Sequence, residues 1–447
     1  MKSFLIAAMH SGAGKTVTSC ALMAALKKRG LCVRAFKAGP DYIDPMFHSR
    51  LLGLDSRNLD LFLQGEDGVR RSFSSAAGAD VAVVEGAMGY YDGLGGTTEA
   101  SAWALAACLD IPTLLVLRPK GSGLTLAAQV RGLLDFRPES RIAALLLADC
   151  PARLAASLGP LLTRETGLPV LGFLPPMPEA RIESRHLGLL TARELTDLSA
   201  RFEALGRQAE RSVELDALLA LAADKRCAAE TDSAKPVTCR IAVASDEAFC
   251  FTYADGLDAL RRAGAELAFF SPLRDAALPA DADGLYLPGG YPELYAGALA
   301  ENELLRAAIR DAVRSGLPTV AECGGFLCLG QSLEDAEGRA RPMCGALPGC
   351  GFKTGRLQRF GYLTLGAAED SLLFRAGEKI PAHEFHYWDS TENGAALHAE
   401  EADGRTWRCG YVSPTLYAAF PHLHFGGETP LAARFVRACE RWKASMT

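Results

Sequence analysis

An apolar run at 3–9 breaks into His10-Ser11-Gly12-Ala13-Gly14-Lys15-Thr16, and a helical pattern follows at once over 14–28. A buried strand that turns through glycines directly into a helix is the opening unit of a parallel α/β sheet, since parallel strands are joined by crossover helices. The turn also carries chemistry. Backbone N–H groups at a helix N-terminus favour an anion, Lys15 can reach the β/γ oxygens of a bound triphosphate, and the Thr16 hydroxyl can ligate Mg²⁺. Ser11, Gly12, Gly14, Lys15 and Thr16 are therefore the candidate ATP-binding residues, although Met9 stands where such a loop carries its first glycine. A tight turn with a surface lysine is the plainer alternative.

The alternation continues. Short β-rich runs at 32–38, 81–87, 112–118, 142–148 and 169–174 are separated by longer helical patterns, which predicts a doubly wound, mostly parallel sheet. From about 191 to 238 the chain turns polar and Ala/Glu/Arg-rich, passing through Thr231-Asp232-Ser233-Ala234-Lys235-Pro236, a loop-like join between domains. A second series restarts at 240–244, with strands near 266–270, 284–288 and 318–322 and helices at 253–264 and 301–315. Two Rossmann-like layers in tandem are the simplest expectation.

A chain of 447 residues with 49% hydrophobic residues and a net charge of −6 can bury large cores and lacks the basic excess of a nucleic-acid binder. Thirteen cysteines without zinc-type C-x-x-C pairs read as reduced thiols rather than a disulfide framework. The N-terminus is too short and too quickly interrupted for a signal peptide, and no segment offers about 18 uninterrupted apolar residues. A cytoplasmic protein acting on small molecules is expected, with no nucleic-acid or membrane partner; a homodimer is left open.

Ligands of open α/β sheets gather at the carboxyl ends of the strands. Glu85 ends the run at 81–87 and is a candidate Mg²⁺ partner; Asp41, Tyr42 and Asp44 follow the run at 32–38, and Asp92 follows Tyr90-Tyr91. Each Asp alone reads equally well as a turn or helix cap. Their shared place at the ligand edge favours function.

Pro318-Thr319-Val320-Ala321-Glu322-Cys323-Gly324-Gly325-Phe326 is a strand entering a Gly-flanked turn and then an apolar helix. Such an elbow exposes one nucleophile and aims the following N–H, that of Gly324, at a developing oxyanion. The thiol needs a base, and His422 and His424 near the C-terminus bracket Leu423. Gly289-Gly290 after the strand near 284–288 would supply the second oxyanion donor from Gly290.

Across these blocks the chain resembles the cobyrinic acid a,c-diamide synthases of cobalamin biosynthesis. The resemblance runs through His10 to Thr16, Lys37 to His48, Ser56 to Asp60, Glu85 to Met88, Arg185 to Leu189, Asp246 to Phe251, Ala321 to Gly325, His383 to Tyr387 and His422 to Phe425, in that order and over essentially the whole chain. It implies a dethiobiotin-synthetase-like ATP-binding domain at 1–190, a helical linker at 191–238 and a class I glutamine amidotransferase domain at 239–447. It implies ATP-dependent phosphorylation of two corrinoid carboxylates and attack by ammonia released from glutamine at Cys323. Mg²⁺ would fall to Thr16, Asp41 and Glu85, and substrate to Lys37, Tyr42, Asp44, His48, Arg57 and Asp92, with Arg50 nearby. The chain departs from the family pattern at Ala8-Met9, at Asp149, where Asn is common, and at Phe420-Pro421. Class I amidotransferases often carry a Glu two residues after the catalytic His; with His422 as base, that place is His424. A Cys-His dyad oriented by His424, or the reverse assignment of the two histidines, both stand. Nickel-sirohydrochlorin and hydrogenobyrinic acid are the alternative substrates. A partitioning-type ATPase would account for the phosphate loop but has no need of Cys323 or His422.

Overall fold

The computed structural model describes residues 1–178, 198–227 and 235–446. The block Arg185 to Leu189 and much of the expected join before Lys235 lie outside the described residues. The chain divides into two compact units, Met1–Leu61 with Gly65–Glu230, and Phe62–Gln64 with Thr231–Thr447.

In the first unit the chain runs β1 (Lys2–Ala8), α1 (Lys15–Lys28), β2 (Val33–Ala38), α2 (Ile43–Leu52), β3 (Arg57–Leu59), α3 (Leu61–Ser74, broken at Gly65), β4 (Val81–Glu85), α4 (Ala102–Leu109), β5 (Thr113–Leu117), α5 (Leu124–Phe136), β6 (Ile142–Leu147), α6 (Ala152–Thr166), β7 (Val170–Phe173), α7 (Leu198–Ser212), α8 (Leu215–Leu221) and β8 (Ala223–Asp224). The sheet order is β3-β2-β4-β1-β5-β6-β7, all parallel, with β8 added antiparallel to β1. The central strands β4 and β5 are buried along their whole length, as apolar runs covered on both faces must be. The chain builds outward from β1 to β3, returns to β4 and crosses to β5. That reversal opens a crevice at the carboxyl end of β1.

The stretch read as a polar connector supplies α7, α8 and β8 to this unit. α7 lies so close to α1 that a Cβ on Gly206 would stand 2.9 Å from the Ala24 Cβ. Arg29, just past the end of α1, bridges Glu210 of α7 and Asp216 of α8 at 2.8 and 2.7 Å.

The second unit begins with β9 (Cys239–Ala244), α9 (Ala254–Ala263), β10 (Ala265–Phe270), β11 (Gly284–Leu287), α10 (Ala296–Glu301), α11 (Glu303–Ser315), β12 (Thr319–Glu322) and α12 (Gly324–Leu329). Its remaining elements are β13 (Ser332–Glu334), β14 (Ala340–Pro342), β15 (Cys350–Lys353), β16 (Arg359–Ala367), β17 (Lys379–His386), β18 (Trp388–Ser390), β19 (Leu397–Glu401), β20 (Thr406–Cys409), β21 (Tyr411–Ser413), β22 (Leu416–Ala419), β23 (His422–Leu423) and α13 (Leu431–Met446). A six-stranded sheet, β10-β9-β11-β12-β22-β21, is parallel except at its β21 edge.

Here a plain tandem of Rossmann-like layers falls short. Two further sheets, β14-β13-β15-β18 and β20-β19-β16-β17-β23, are mainly antiparallel and occupy the last third of the chain. Their strands are short or half-solvated, as the alternating burial of β16 shows, so they lack the continuous apolar runs that mark the parallel strands. All thirteen cysteines are free. Among the described residues no helix is long and apolar enough to cross a membrane.

Candidate functional site

The phosphate loop is built by β1 and α1. Gly14, the N-cap of α1, has φ +96°, a conformation that L side chains rarely adopt, and no side chain caps the helix above it. No acidic residue stands in the first turn, so its N–H groups keep their affinity for an anion. Lys15 folds back across the loop, its ammonium donating to the Met88 and His10 carbonyls at 2.5 and 3.3 Å. Burial, then the charge of Lys37, lowers the Lys15 amine to about 8.

Beneath the loop lies a buried charge cluster whose geometry follows from strand register. β4 sits between β1 and β2, and Lys37 of β2 stands opposite Glu85 of β4. Lys37 Nζ donates to Glu85 Oε1 at 3.1 Å and to the Gly86 carbonyl at 3.1 Å, and pairs with Asp44 Oδ2 at 2.6 Å. Glu85 also receives the Thr16 hydroxyl at 2.8 Å and lies 2.9 Å from His48 Nε2, whose Nδ1 is 3.2 Å from Ser56 Oγ. Thr16 Oγ1 lies 3.2 Å from Asp44 Oδ1.

With both carboxyls ionised, two negative charges would face the single ammonium of Lys37. Their surroundings push the two carboxyls in opposite directions. Burial, then Glu85, pushes Asp44 well above the usual carboxylate range. At Glu85, burial is outweighed by Lys37 and His48, which hold it well below. Burial would likewise depress Lys37, but Asp44, Glu85 and Asp41 lift it above the ordinary lysine value.

The residues expected to touch metal or substrate thus fall into distinct places. Asp41 uses Oδ1 to accept the Ile43 and Asp44 N–H groups at 2.7 and 3.3 Å, an N-terminal cap on α2. Asp44, one turn on, takes the position beside Thr16 and Glu85. Lys37 and His48 are buried and turned onto Glu85. Asp92 Oδ2 accepts the Gly89 N–H at 2.8 Å and closes the turn after β4. Tyr42 is buried at the start of α2 and Arg57 is half-buried on β3. Asp149 pairs with Arg118, which lies 3.5 Å from the Gly12 carbonyl. Among the described residues no three His, Cys, Asp or Glu side chains form a metal cage. One hydroxyl and two carboxylates are nonetheless a fitting set of hard oxygen donors for Mg²⁺, which takes one or two carboxylates and completes its shell with water and phosphate.

The thiol site lies at the carboxyl ends of β11 and β12. Cys323 has φ +48° and ψ −103°, a strained conformation for a non-glycine residue that marks the elbow between β12 and α12. The loop after β11 presses against it. A Cβ on Gly324 would stand 3.1 Å from the Gly290 N and 2.8 Å from Pro292 Cδ, and a Cβ on Gly290 would stand 2.1 Å from the Ala248 carbonyl oxygen. Only glycine allows this approach, which brings the Gly290 and Gly324 backbones together.

Asp246, which stands out in the sequence only as the start of a family block, has a clear structural task. Its Oδ1 accepts the Ala248 and Phe249 N–H groups at 2.9 and 3.1 Å, and its Oδ2 accepts from Ser271 Oγ and the Leu273 N–H at 2.8 and 2.9 Å. The 246–249 turn so fixed receives the Tyr291 N–H at the Ala248 carbonyl, 2.9 Å away, and holds the Gly289-Gly290 loop.

The two histidines occupy different places. His422 lies against the glycine loop, its Cε1 2.5 Å and its Nε2 3.4 Å from where a Gly289 Cβ would be. Its ring stacks on His383 at 4.8 Å and 9°, and His383 Nε2 is 2.7 Å from the Tyr253 hydroxyl. His424 packs under the Tyr253 ring at 4.6 Å, and its Nδ1 accepts the Gly426 N–H at 3.1 Å. That bond leaves the proton on Nε2, which is buried without a hydrogen-bond partner among the described residues. Burial lowers both imidazoles to about 3, so both rest neutral. Burial, then Glu293 and Glu384, pushes the Cys323 thiol above its ordinary value. The Cys323 thiol and the His422 imidazole are thus both neutral at rest.

A model described as the CobQ/CobB/MinD/ParA nucleotide binding domain matches residues 4–190, and one described as the CobB/CobQ-like glutamine amidotransferase domain matches residues 240–430. The cobyrinate a,c-diamide synthase of Clostridium acetobutylicum is 37% identical over 98% of this chain and 100% of its own length. Those of Listeria innocua and a Synechococcus strain are each 39% identical, over 95% and 98% of this chain and 96% and 98% of theirs. With both domain models matched in order and relatives aligned from end to end, the chain belongs to the cobyrinate a,c-diamide synthase family of glutamine-dependent amidotransferase ligases.

Proposed function

We propose that this chain amidates the a and c carboxylates of cobyrinic acid, using ATP to activate each carboxylate and glutamine as the source of ammonia. The observation that carries this reading is the presence, in one chain, of a phosphate loop over a buried acid pair and of a strained cysteine elbow packed on a glycine loop that His422 also lies against.

In the glutamine reaction, Cys323 Sγ attacks the side-chain amide carbon while its proton passes to His422. The Gly290 and Gly324 N–H groups receive the oxyanion. As the C–N bond breaks, His422 returns the proton to the departing ammonia, and water then hydrolyses the thioester to glutamate and free thiol. The position of His422 against the glycine loop supports it as the base, with His424 as packing behind Tyr253.

In the synthetase reaction a carboxylate oxygen attacks the γ-phosphorus, ADP departs, and ammonia displaces phosphate from the acyl phosphate with loss of a proton. Lys15 follows the charge on the transferring phosphoryl group. The Thr16 hydroxyl, with Glu85 and Asp44, would hold Mg²⁺, which would supply positive charge against the triphosphate. Lys37 and His48 keep that acid pair in place from below, Asp41 caps the helix that carries Asp44, Asp92 shapes the loop after β4, and Tyr42 and Arg57 are assigned to the macrocycle.

The test is incubation of the purified protein with ATP, glutamine and, separately, cobyrinic acid, hydrogenobyrinic acid or nickel-sirohydrochlorin, followed by mass spectrometry. Two successive amide-for-carboxylate changes, fastest on cobyrinic acid, are expected. Turnover of another tetrapyrrole alone would overturn the substrate assignment.

A further inference from the structure

A histidine that must take a proton from a thiol works best when its far nitrogen faces a carboxylate, which fixes the ring and stabilises the imidazolium. In this chain the residue two after His422 is His424, which cannot supply a negative charge. We infer that Glu322, the residue immediately before the nucleophile, is the positioning carboxylate of the thiol site, acting on His422 Nδ1. The inference rests on the proposed role of His422 as base.

Three observations converge. Glu322 Oε2 lies 3.9 Å from His422 Nδ1, with both side chains fully buried, while the Cε1–Nε2 edge of the same ring faces the Gly289 loop. The ring is thus oriented with one nitrogen towards an acid and the other towards the oxyanion loop, the arrangement a general base requires. Glu322 is itself fixed: Oε1 accepts the Leu423 N–H at 2.8 Å and Oε2 accepts the Tyr286 hydroxyl at 2.9 Å. The Leu423 bond ties the carboxylate to the residue next to His422, so the end of β12, which leads into Cys323, is held to β23. At 3.9 Å the carboxylate stands close to the neutral ring without a hydrogen bond, and catalytic contacts tighten when substrate arrives.

Burial raises Glu322 to about 7, against the hydrogen bonds from Leu423 and Tyr286. The other titratable groups around His422 are His383 stacked on it and His386, which is bonded to Glu384 at 2.6 Å; His424 lies beyond Tyr253. Glu322 is an acid within ion-pair distance of His422.

The experiment uses Glu322→Gln in the full chain, with glutaminase kcat, KM and pH profile measured beside ammonia-dependent synthesis and thermal melting. Glutaminase kcat should fall about 100-fold, with glutamine KM and ammonia-dependent synthesis within about twofold of wild type. The acid limb of kcat/KM should move to lower pH, because removing a negative charge makes the imidazole harder to protonate. Unchanged kcat and limb, or an equal fall in both activities, would overturn the inference. Should the Gln variant not fold, Glu322→Asp keeps the charge but withdraws it by one methylene. It should lower glutaminase kcat severalfold with the wild-type acid limb, and equal loss of both activities would again overturn the inference. His422→Ala distinguishes the two levels: full glutaminase activity there would sink the assignment of the base itself, whatever Glu322 does.

Discussion

The two sites solve opposite electrostatic problems. The phosphate site holds charge in a buried place: Lys37 lies against Glu85 and Asp44, and His48 against Glu85, so the Lys37 ammonium and the Glu85 carboxylate offset each other before any ligand arrives. The thiol site is quiet, with Cys323 and His422 both neutral at rest and Glu322 raised by burial to about 7. Phosphoryl transfer asks for charges fixed in advance of a polyanion. Thiol attack asks for charge created only when substrate is bound, which protects the cysteine between turnovers, since the thiolate is the reactive form.

If this contrast is right, damage to each site should stay in its own reaction. The largest effect short of removing the nucleophile is expected from His422→Ala, which should lower glutaminase kcat about 1,000-fold and spare ammonia-dependent synthesis. His424→Ala should cost less than about tenfold in the same assay; the reverse ranking would exchange the two histidines. Glu85→Gln keeps shape and removes the charge shared by Thr16, Lys37 and His48. It should lower synthesis about 100-fold with glutamine or ammonia alike, with glutaminase turnover retained. Normal synthesis in that variant would sink the placement of the synthetase site.

The smallest effect is in pH. Lys15 is held at about 8 in the free protein by burial, then Lys37, against Glu85, Asp44 and Asp92. A bound phosphate raises that value, so the favourable term is complete below about pH 8 and is lost as pH rises beyond it. ATP affinity measured by calorimetry should therefore weaken above about pH 8, by up to about tenfold per unit. A flat profile between about pH 7 and 9 would show that Lys15 is not the charge that nucleotide meets.

What the sequence revealed differs between the sites for a physical reason. The phosphate loop is local: Gly14, Lys15 and Thr16 are adjacent, and the flanking strand and helix announce themselves by continuous burial and by the turn between them. The choice between Asp41 and Asp44 is not local. The two lie close together at the start of one helix, and only the packing of α2 decides that Asp41 caps it while Asp44 reaches Thr16. The elbow at Cys323 is legible from its glycines. The role inferred for Glu322 is hidden, because it depends on a strand far along the chain, tied to it by the Leu423 N–H. The antiparallel strands between β13 and β23 escaped notice for a related reason: their apolar residues alternate with solvated ones and their partners are distant in sequence.

The separation of the two chemistries is tested most directly by Cys323→Ala. Diamide formation from cobyrinic acid and ATP would be followed with glutamine or with an ammonium salt as the only nitrogen source. Because the thiol serves to release ammonia and has no part in phosphoryl transfer, glutamine-dependent synthesis should fall to background while ammonium-dependent synthesis stays within about twofold of the unaltered protein. Loss of both activities in a folded variant, or survival of the glutamine-dependent one, would contradict the account.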